Sequence, residues 1–439
     1  MSGNAEPGDS VKVHTKEEII VGTLLQRSQL LDKRAGKDIL VLKLKNGYNI
    51  GIDKARIKKI ELVKKNESDK KKAIALEHDP KLKNVLIISC GGTISSKIDY
   101  KTGGVYADYT AEDFVEMMPS LASIANLDAK KLLGKMSEDF LPADWKVIAK
   151  EVYDNYKKYD GFVITQGTDT LHYTSAALSF FLENLGKPAV FTAAQRSIDR
   201  GSSDAFMNLT CAVKAAAEMD AAGVFVCMHA TTNDDFCYLH KGTKVRKMHS
   251  LRRDAFRSIN DTPVAKIAYP TADITMLTDD LSARIQEDEL DDLKLVNSFE
   301  ENIAFIYFHP NMDPGIIDYH ISKGIKGIVI AGTALGHVAL EGKKSLLKKI
   351  ESCKKHTIPV VMTSQCLYGR TDPLVYAGLR ELSIGQDVIY AEDMLPETAY
   401  VKLGWVLKTL KKGESVRERM LRNVAGEINI KQDPEAFLN

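Results

Sequence analysis

Val85-Leu-Ile-Ile-Ser-Cys90-Gly-Gly-Thr-Ile94 and Gly161-Phe-Val-Ile-Thr165-Gln-Gly-Thr-Asp-Thr170 decide how this chain is read. Each is an unbroken apolar run that ends in glycine followed by threonine. A short apolar run without alternation is a strand covered on both faces, and such strands belong to parallel sheets. Ala189-Val-Phe-Thr192 and Gly223-Val-Phe-Val-Cys227 have the same character. Helical patterns lie between them at 145–157, 175–185 and 205–219. The alternation predicts βαβ units and a parallel sheet. Ligands of open α/β sheets bind beyond the carboxyl ends of the strands, where the two Gly-Thr loops fall.

Working outward, the acidic stretch Gln286-Glu-Asp-Glu-Leu-Asp-Asp292 interrupts the pattern. A shorter α/β set follows: Ile303-Ala-Phe-Ile-Tyr307, Gly327-Ile-Val-Ile330 and Pro359-Val-Val-Met362, with a helix over 339–355 and a helical C-terminal segment over 397–422. Upstream, residues 9–63 read as about five short strands. Asn46-Gly47 marks a hairpin between Ile39–Leu44 and Tyr48–Ile52, and the set predicts a small SH3-like β-barrel. Lys64-Lys-Asn-Glu-Ser-Asp-Lys-Lys-Lys72 reads as a solvated linker. The domains expected are therefore 1–75, a small barrel with its charged linker running to about 83; 84–285; 300–425; and a tail, 426–439.

The 439 residues are 44% hydrophobic and 27% charged, which excludes global disorder. The six cysteines have no Cys-x-x-Cys spacing and read as reduced thiols of a cytoplasmic protein. The N-terminal residues lack the cationic start and apolar stretch of a signal peptide, and no run approaches the ~20 residues of a membrane span. Net charge is +1, but residues 1–84 hold 19 Lys+Arg against 12 Asp+Glu, leaving 41 against 47 for the remainder. Neutrality is a basic N-terminal part (+7) cancelling an acidic body (−6). The N-terminal module is thus suited to lie near a nucleic acid or an acidic partner surface.

There is no Gly-x-x-x-x-Gly-Lys-Ser/Thr, Gly-x-Ser-x-Gly or His-Glu-x-x-His, so P-loop, serine-hydrolase and zinc-peptidase chemistries lose support. Gly332-Thr-Ala-Leu-Gly336 falls short of a dinucleotide loop. His229, His240 and His249 lack metal-ligand spacing, and no metal is expected.

Gly91-Gly-Thr-Ile94 and Ile164-Thr-Gln-Gly-Thr-Asp-Thr170 resemble the two threonine signatures of the L-asparaginase/glutaminase superfamily. The resemblance spans about 84–425 and implies an asparaginase-like two-domain α/β body. It implies that Thr93 is the nucleophile, with Thr168, Asp169 and Lys247 as the second threonine and its partners. Lys247 belongs to Gly242-Thr-Lys-Val-Arg-Lys247, where adjacent Arg246 is an alternative cation. Tyr106, beside Gly103-Gly104, matches a lid tyrosine that hydrogen-bonds the nucleophile. Ser137 and Glu138 match substrate-binding positions, and Gly92 and Gly167 flank a candidate oxyanion hole. Ser203-Asp204 with Asn208 fits the approach to the middle helix. Glutamine or asparagine is the implied substrate, and a close homodimer the implied assembly.

A barrel in front of such a body is similar to the ammonia-supplying subunits of archaeal tRNA-dependent amidotransferases. That similarity implies a GatE-like partner subunit that binds tRNA(Gln), holds ATP and Mg, and activates the glutamyl ester. No cofactor is then expected on this chain. A stand-alone cytoplasmic asparaginase/glutaminase is the second reading. A binding protein with a silent catalytic body is the third, and the presence of both Thr93 and Thr168 argues against it.

Overall fold

The computed structural model describes residues 5–25, 38–65, 78–92, 94, 96–98, 105–107, 118–198, 200–285 and 292–437, with the backbone alone for 96–98, 105–107 and 119. The first five strands are β1 (Ser10–Thr15), β2 (Ile19–Leu25), β3 (Ile39–Lys43), β4 (Asn49–Asp53) and β5 (Ile57–Lys64). They form one antiparallel sheet in the order β4-β3-β2-β1-β5, so the last strand returns to pair with the first. That is the strand order of the expected SH3-like barrel. Val11, Val13, Leu42 and Ile52 fill its small core. The expected Asn46-Gly47 turn closes with Gly47 at φ +84°. It is also the docking point on the body. A methyl on Gly47 would meet Gly201 N at 2.6 Å, and one on Gly201 would meet the Tyr48 ring at 2.5 Å. The Tyr48 hydroxyl hydrogen-bonds Ser202.

The chain then makes β6 (Asn84–Gly91), a small hairpin of β7 (Ser96–Ile98) and β8 (Val105–Ala107), β9 (Asn126–Lys135), β10 (Gly161–Thr165), β11 (Leu182–Glu183), β12 (Pro188–Thr192), β13 (Gly223–His229) and β14 (Phe236–Lys241). A second hairpin, β15 (Val245–Lys247) and β16 (Phe256–Ser258), precedes β17 (Ala265–Ala268), β18 (Ile274–Met276) and β19 (Lys294–Leu295). Eight strands form one sheet in the order β18-β17-β14-β13-β12-β10-β6-β9. From β9 to β13 the pairing is parallel, as the apolar runs predict. Beyond β13 the sheet turns antiparallel, an edge the run-and-helix pattern does not announce.

Helices Pro142–Asp154, Leu171–Phe181 and Ala205–Glu218 fall on the predicted sites, two of them starting a few residues early. Apolar periodicity marks only the packed turns; Pro142 near the start extends the first helix upstream, and the second begins after Thr170, whose hydroxyl bonds Ser137 rather than capping the helix.

The C-terminal unit is a four-stranded parallel sheet of β20 (Ile303–Tyr307), β21 (Gly327–Gly332), β22 (Val360–Ser364) and β23 (Ile389–Tyr390). The helix expected over 339–355 is shorter, Leu347–Lys355, because the chain turns at Gly342 (φ +69°) first. The segment expected as one helix over 397–422 is two, Pro396–Thr409 and Val416–Leu421, broken near Gly413 at φ +93°. Trp405 of the former is fully buried and stacks on Phe180 at 5.6 Å, joining the two units in one apolar core. Among the described residues no helix is long and apolar enough to cross a membrane.

Candidate active site

Neighbouring strands β9, β6 and β10 bring three loops to one end of the sheet. β6 and β10 run parallel with Ile88 beside Ile164 and Ser89 beside Thr165. That register brings the Gly91-Gly92 end of β6 beside Gln166-Gly167. A methyl on Gly92 would lie 2.1 Å from Gly167 N, so these loops touch backbone to backbone. Gly92 also has φ +80°, so conformation and space both require glycine there. On the other side of β6, the Lys135 carbonyl at the end of β9 accepts the Gly92 N–H at 3.1 Å. The 3-10 turn Ser137–Asp139 follows, and a methyl on Gly167 would meet Ser137 Cβ at 2.8 Å.

On this floor stands Thr168, buried. Lys247 Nζ donates to Thr168 Oγ1 at 2.8 Å and to Asp169 Oδ1 at 2.7 Å. Ser137 Oγ donates to Asp169 Oδ2 at 3.3 Å and accepts the Asp169 N–H at 3.3 Å. The Thr170 hydroxyl donates to the Ser137 carbonyl at 2.6 Å. The helix Leu171–Phe181 begins here, so its positive end faces the Asp169 side of the cluster.

Lys247 arrives on β15, opposite Phe256 of β16. Successive strand residues point to opposite faces. Arg246 accordingly leaves the cluster and pairs with Glu397 Oε1 at 2.8 Å. Of the two adjacent cations, Lys247 is the one that touches Thr168. Behind them lies His172, whose imidazole is pushed down to about 3 by burial and then by Arg246 and Lys247.

The remaining sequence candidates fall as follows. Thr93 lies outside the described residues. Tyr106 is in β8 with its backbone opposite Lys97; its side chain lies outside the described residues. Glu138 is exposed. Asp204 shapes the loop after β12 by accepting Gln195 N at 2.9 Å and Arg196 N at 3.0 Å. Asn208 holds the same loop through the Ala193 carbonyl at 2.9 Å and receives the His229 N–H at 3.0 Å. His240 Nδ1 is 2.8 Å from Ser258 Oγ. Sequence reasoning missed Asp393 and Glu397. Asp393 pairs with Lys244, 149 positions earlier, and no local pattern announces so distant a contact. Glu397, one residue after Pro396, has the signature of a helix N-terminal acid, which hides its pairing role.

A hydroxyl in hydrogen-bond contact with a lysine nitrogen, itself held by a carboxylate, is placed for proton transfer; the Gly92 N–H is taken by the Lys135 carbonyl, and backbone N–H groups around Gly167 can face a developing oxyanion. Such equipment suits acyl transfer from an uncharged group such as a carboxamide.

Fold and site together define an asparaginase-type amidohydrolase. Family models agree: "Asparaginase, N-terminal" matches residues 84–280, "Glutaminase/Asparaginase C-terminal domain" matches 302–420, and "GatD N-terminal domain" matches 5–63. Among solved structures, the thermostable L-asparaginase from Thermococcus kodakarensis superposes with TM-score 0.69 at 31% identity, over 79% of this chain and 99% of that one. L-asparaginase I from Vibrio cholerae gives 0.68 at 27% identity, over 80% and 100%. Over the whole chain, the GatD subunit of glutamyl-tRNA(Gln) amidotransferase from Pyrococcus abyssi is 46% identical across 434 residues, covering 97% of this chain and 95% of the relative. That of Thermococcus kodakarensis is 48% identical across 396 residues, covering 89% and 87%. The chain belongs to the GatD family of glutamyl-tRNA(Gln) amidotransferase subunits.

Proposed function

We propose that this chain is the ammonia-supplying amidohydrolase subunit of a cytoplasmic tRNA-dependent amidotransferase. It hydrolyses glutamine, or asparagine, so that a GatE-like partner bound to tRNA(Gln) can convert the glutamyl ester to the glutaminyl ester. The Thr168–Lys247–Asp169 chain of contacts beside Gly92 carries the reading, on a chain that shares the N-terminal module of its relatives.

In the first half-reaction the Thr93 hydroxyl oxygen attacks the side-chain carbonyl carbon. Its proton passes by way of Thr168 and Lys247 to the departing nitrogen. The C–N bond breaks, ammonia leaves and an acyl ester remains on Thr93. Water then adds to the ester, returns a proton to Thr93 and releases the free acid. Backbone N–H groups of Thr93 and of Gly167-Thr168 stabilise the oxyanion of each tetrahedral intermediate. Ser137 orients Asp169, whose carboxylate, with Glu138, faces the substrate α-amino group. Tyr106 hydrogen-bonds the nucleophile when the site closes. ATP and Mg act at the partner, and a homodimer of this chain forms the core of the complex.

The test is ammonia release from glutamine and asparagine by the purified chain, with and without its partner and charged tRNA(Gln). Weak release alone, raised by partner and tRNA together, is expected. Full turnover in isolation would favour the stand-alone asparaginase.

A further inference from the structure

Lys247 rides on a hairpin that, among the described residues, makes a ladder only within itself. The main sheet reaches it without a shared ladder, through His240 Nδ1 of β14 at 2.8 Å from Ser258 Oγ of β16 and through Gly242, just before β15, whose N–H donates to the Val224 carbonyl at 2.9 Å. The C-terminal unit holds it as well, mainly through residues 393–398. Asp393 Oδ2 meets Lys244 Nζ at 2.7 Å, both side chains fully buried. Glu397 Oε1 meets Arg246 at 2.8 Å, and Thr398 Oγ1 donates to the Thr243 carbonyl at 2.9 Å. Asn260, just past β16, donates to the carbonyls of Asp393 and Gly369 at 3.0 Å each.

The two ion pairs differ in kind. Lys244–Asp393 has no exposure at either side chain. It reads as an anchor of the fold, since removing one partner would strand a buried charge. Arg246 keeps 30% of its side chain exposed and is joined by one peptide bond to the residue that touches Thr168. Glu397 is buried, and its second oxygen, Oε2, is buried without a hydrogen-bond partner. A carboxylate in that setting depends on Arg246 for its compensation, and Arg246 in turn cannot move without exposing it.

We propose that Glu397 is a positioning residue for amide hydrolysis: through Arg246 it fixes the placement of β15 that holds Lys247 Nζ against Thr168. The proposal rests on the reading of Lys247 as part of the catalytic machinery. A displacement of ~1 Å at such a group costs about 10²-fold in rate.

The experiment measures kcat and KM for ammonia release from glutamine, using the full chain assembled with its partner. The variants are Glu397→Met, Arg246→Met, both together, and Arg246→Lys. Each single methionine variant should lose about 10- to 100-fold in kcat while KM stays within about threefold. The double variant should be no slower than the slower single one, because both act through one contact. Arg246→Lys should regain most of what Arg246→Met loses. Single variants within twofold of the parent in kcat, losses that multiply in the double variant, or losses confined to KM would overturn the proposal. If Glu397→Met does not fold, the Arg246→Met and Arg246→Lys pair decides alone. Lys247→Ala separates the layers. Turnover retained in Lys247→Ala refutes the catalytic reading itself. An inactive Lys247→Ala beside a fully active Glu397→Met refutes only the positioning role.

Discussion

Gly92 has no room for a methyl group, which would fall 2.1 Å from the backbone nitrogen of Gly167. Gly92→Ala should therefore push the two loops apart. The left-handed backbone alone costs about 1–3 kcal/mol, and the collision adds to it. A lower melting temperature together with lost turnover is the expected result. His172 and His240 carry a pH dependence. Burial, then nearby cations, holds both at about 3 rather than the ordinary 6.5. As pH falls the unfolded chain takes up these protons first. Stability is whole above about 6.5 and declines towards 3, by up to about 1.4 kcal/mol per pH unit for each histidine. His240→Gln should shrink the drop in melting temperature between pH 7 and pH 5. At this scale the sequence is informative where a motif is contiguous, as at Thr168 and Asp169. It named Lys247 by resemblance and left Arg246 as the alternative, because the choice depends on which face of a strand each occupies.

The parallel strands were legible because burial on both faces leaves an unmistakable apolar run, as in β10, where every residue is buried. Their register, which brings Gly92 beside Gly167, was not legible, since nothing in either strand encodes its neighbour's offset. The helix Pro396–Thr409 shows the opposite limit. Lys402 lies between Val401 and Leu403 and reads as an exposed helix residue, yet its side chain is fully buried. Its ammonium donates to the carbonyls of Met420 and Arg422 at 2.7 and 2.6 Å and pairs with Glu427 at 2.5 Å. The pair locks residues beyond 425 onto the helix that joins the two α/β units. Lys402→Met leaves the buried Glu427 carboxylate without its cation, held by the Val424 and Ala425 N–H groups, and should cost about 3–5 kcal/mol. Denaturant unfolding monitored at Trp405 measures it. A shift under about 1 kcal/mol would mean that the pair contributes little.

Across the whole molecule, a basic N-terminal part and an acidic body are joined at a glycine contact, with Gly47 against Gly201. The charge division is visible in the sequence. The docking is not, because it needs two glycines more than 150 positions apart to meet. A body built for amide hydrolysis and a module shared with the GatD subunits of amidotransferases make one claim: this chain supplies ammonia and its partner consumes it. The most direct measurement follows formation of glutaminyl-tRNA(Gln) by the complex of Lys247→Ala with the partner subunit. Glutamine or ammonium chloride serves as the nitrogen source. With glutamine the variant should lose about 10²–10⁴-fold. With ammonium it should match the parent complex, because the partner's chemistry is intact. Undiminished glutamine-dependent formation, or equal loss with both nitrogen sources, would contradict the account.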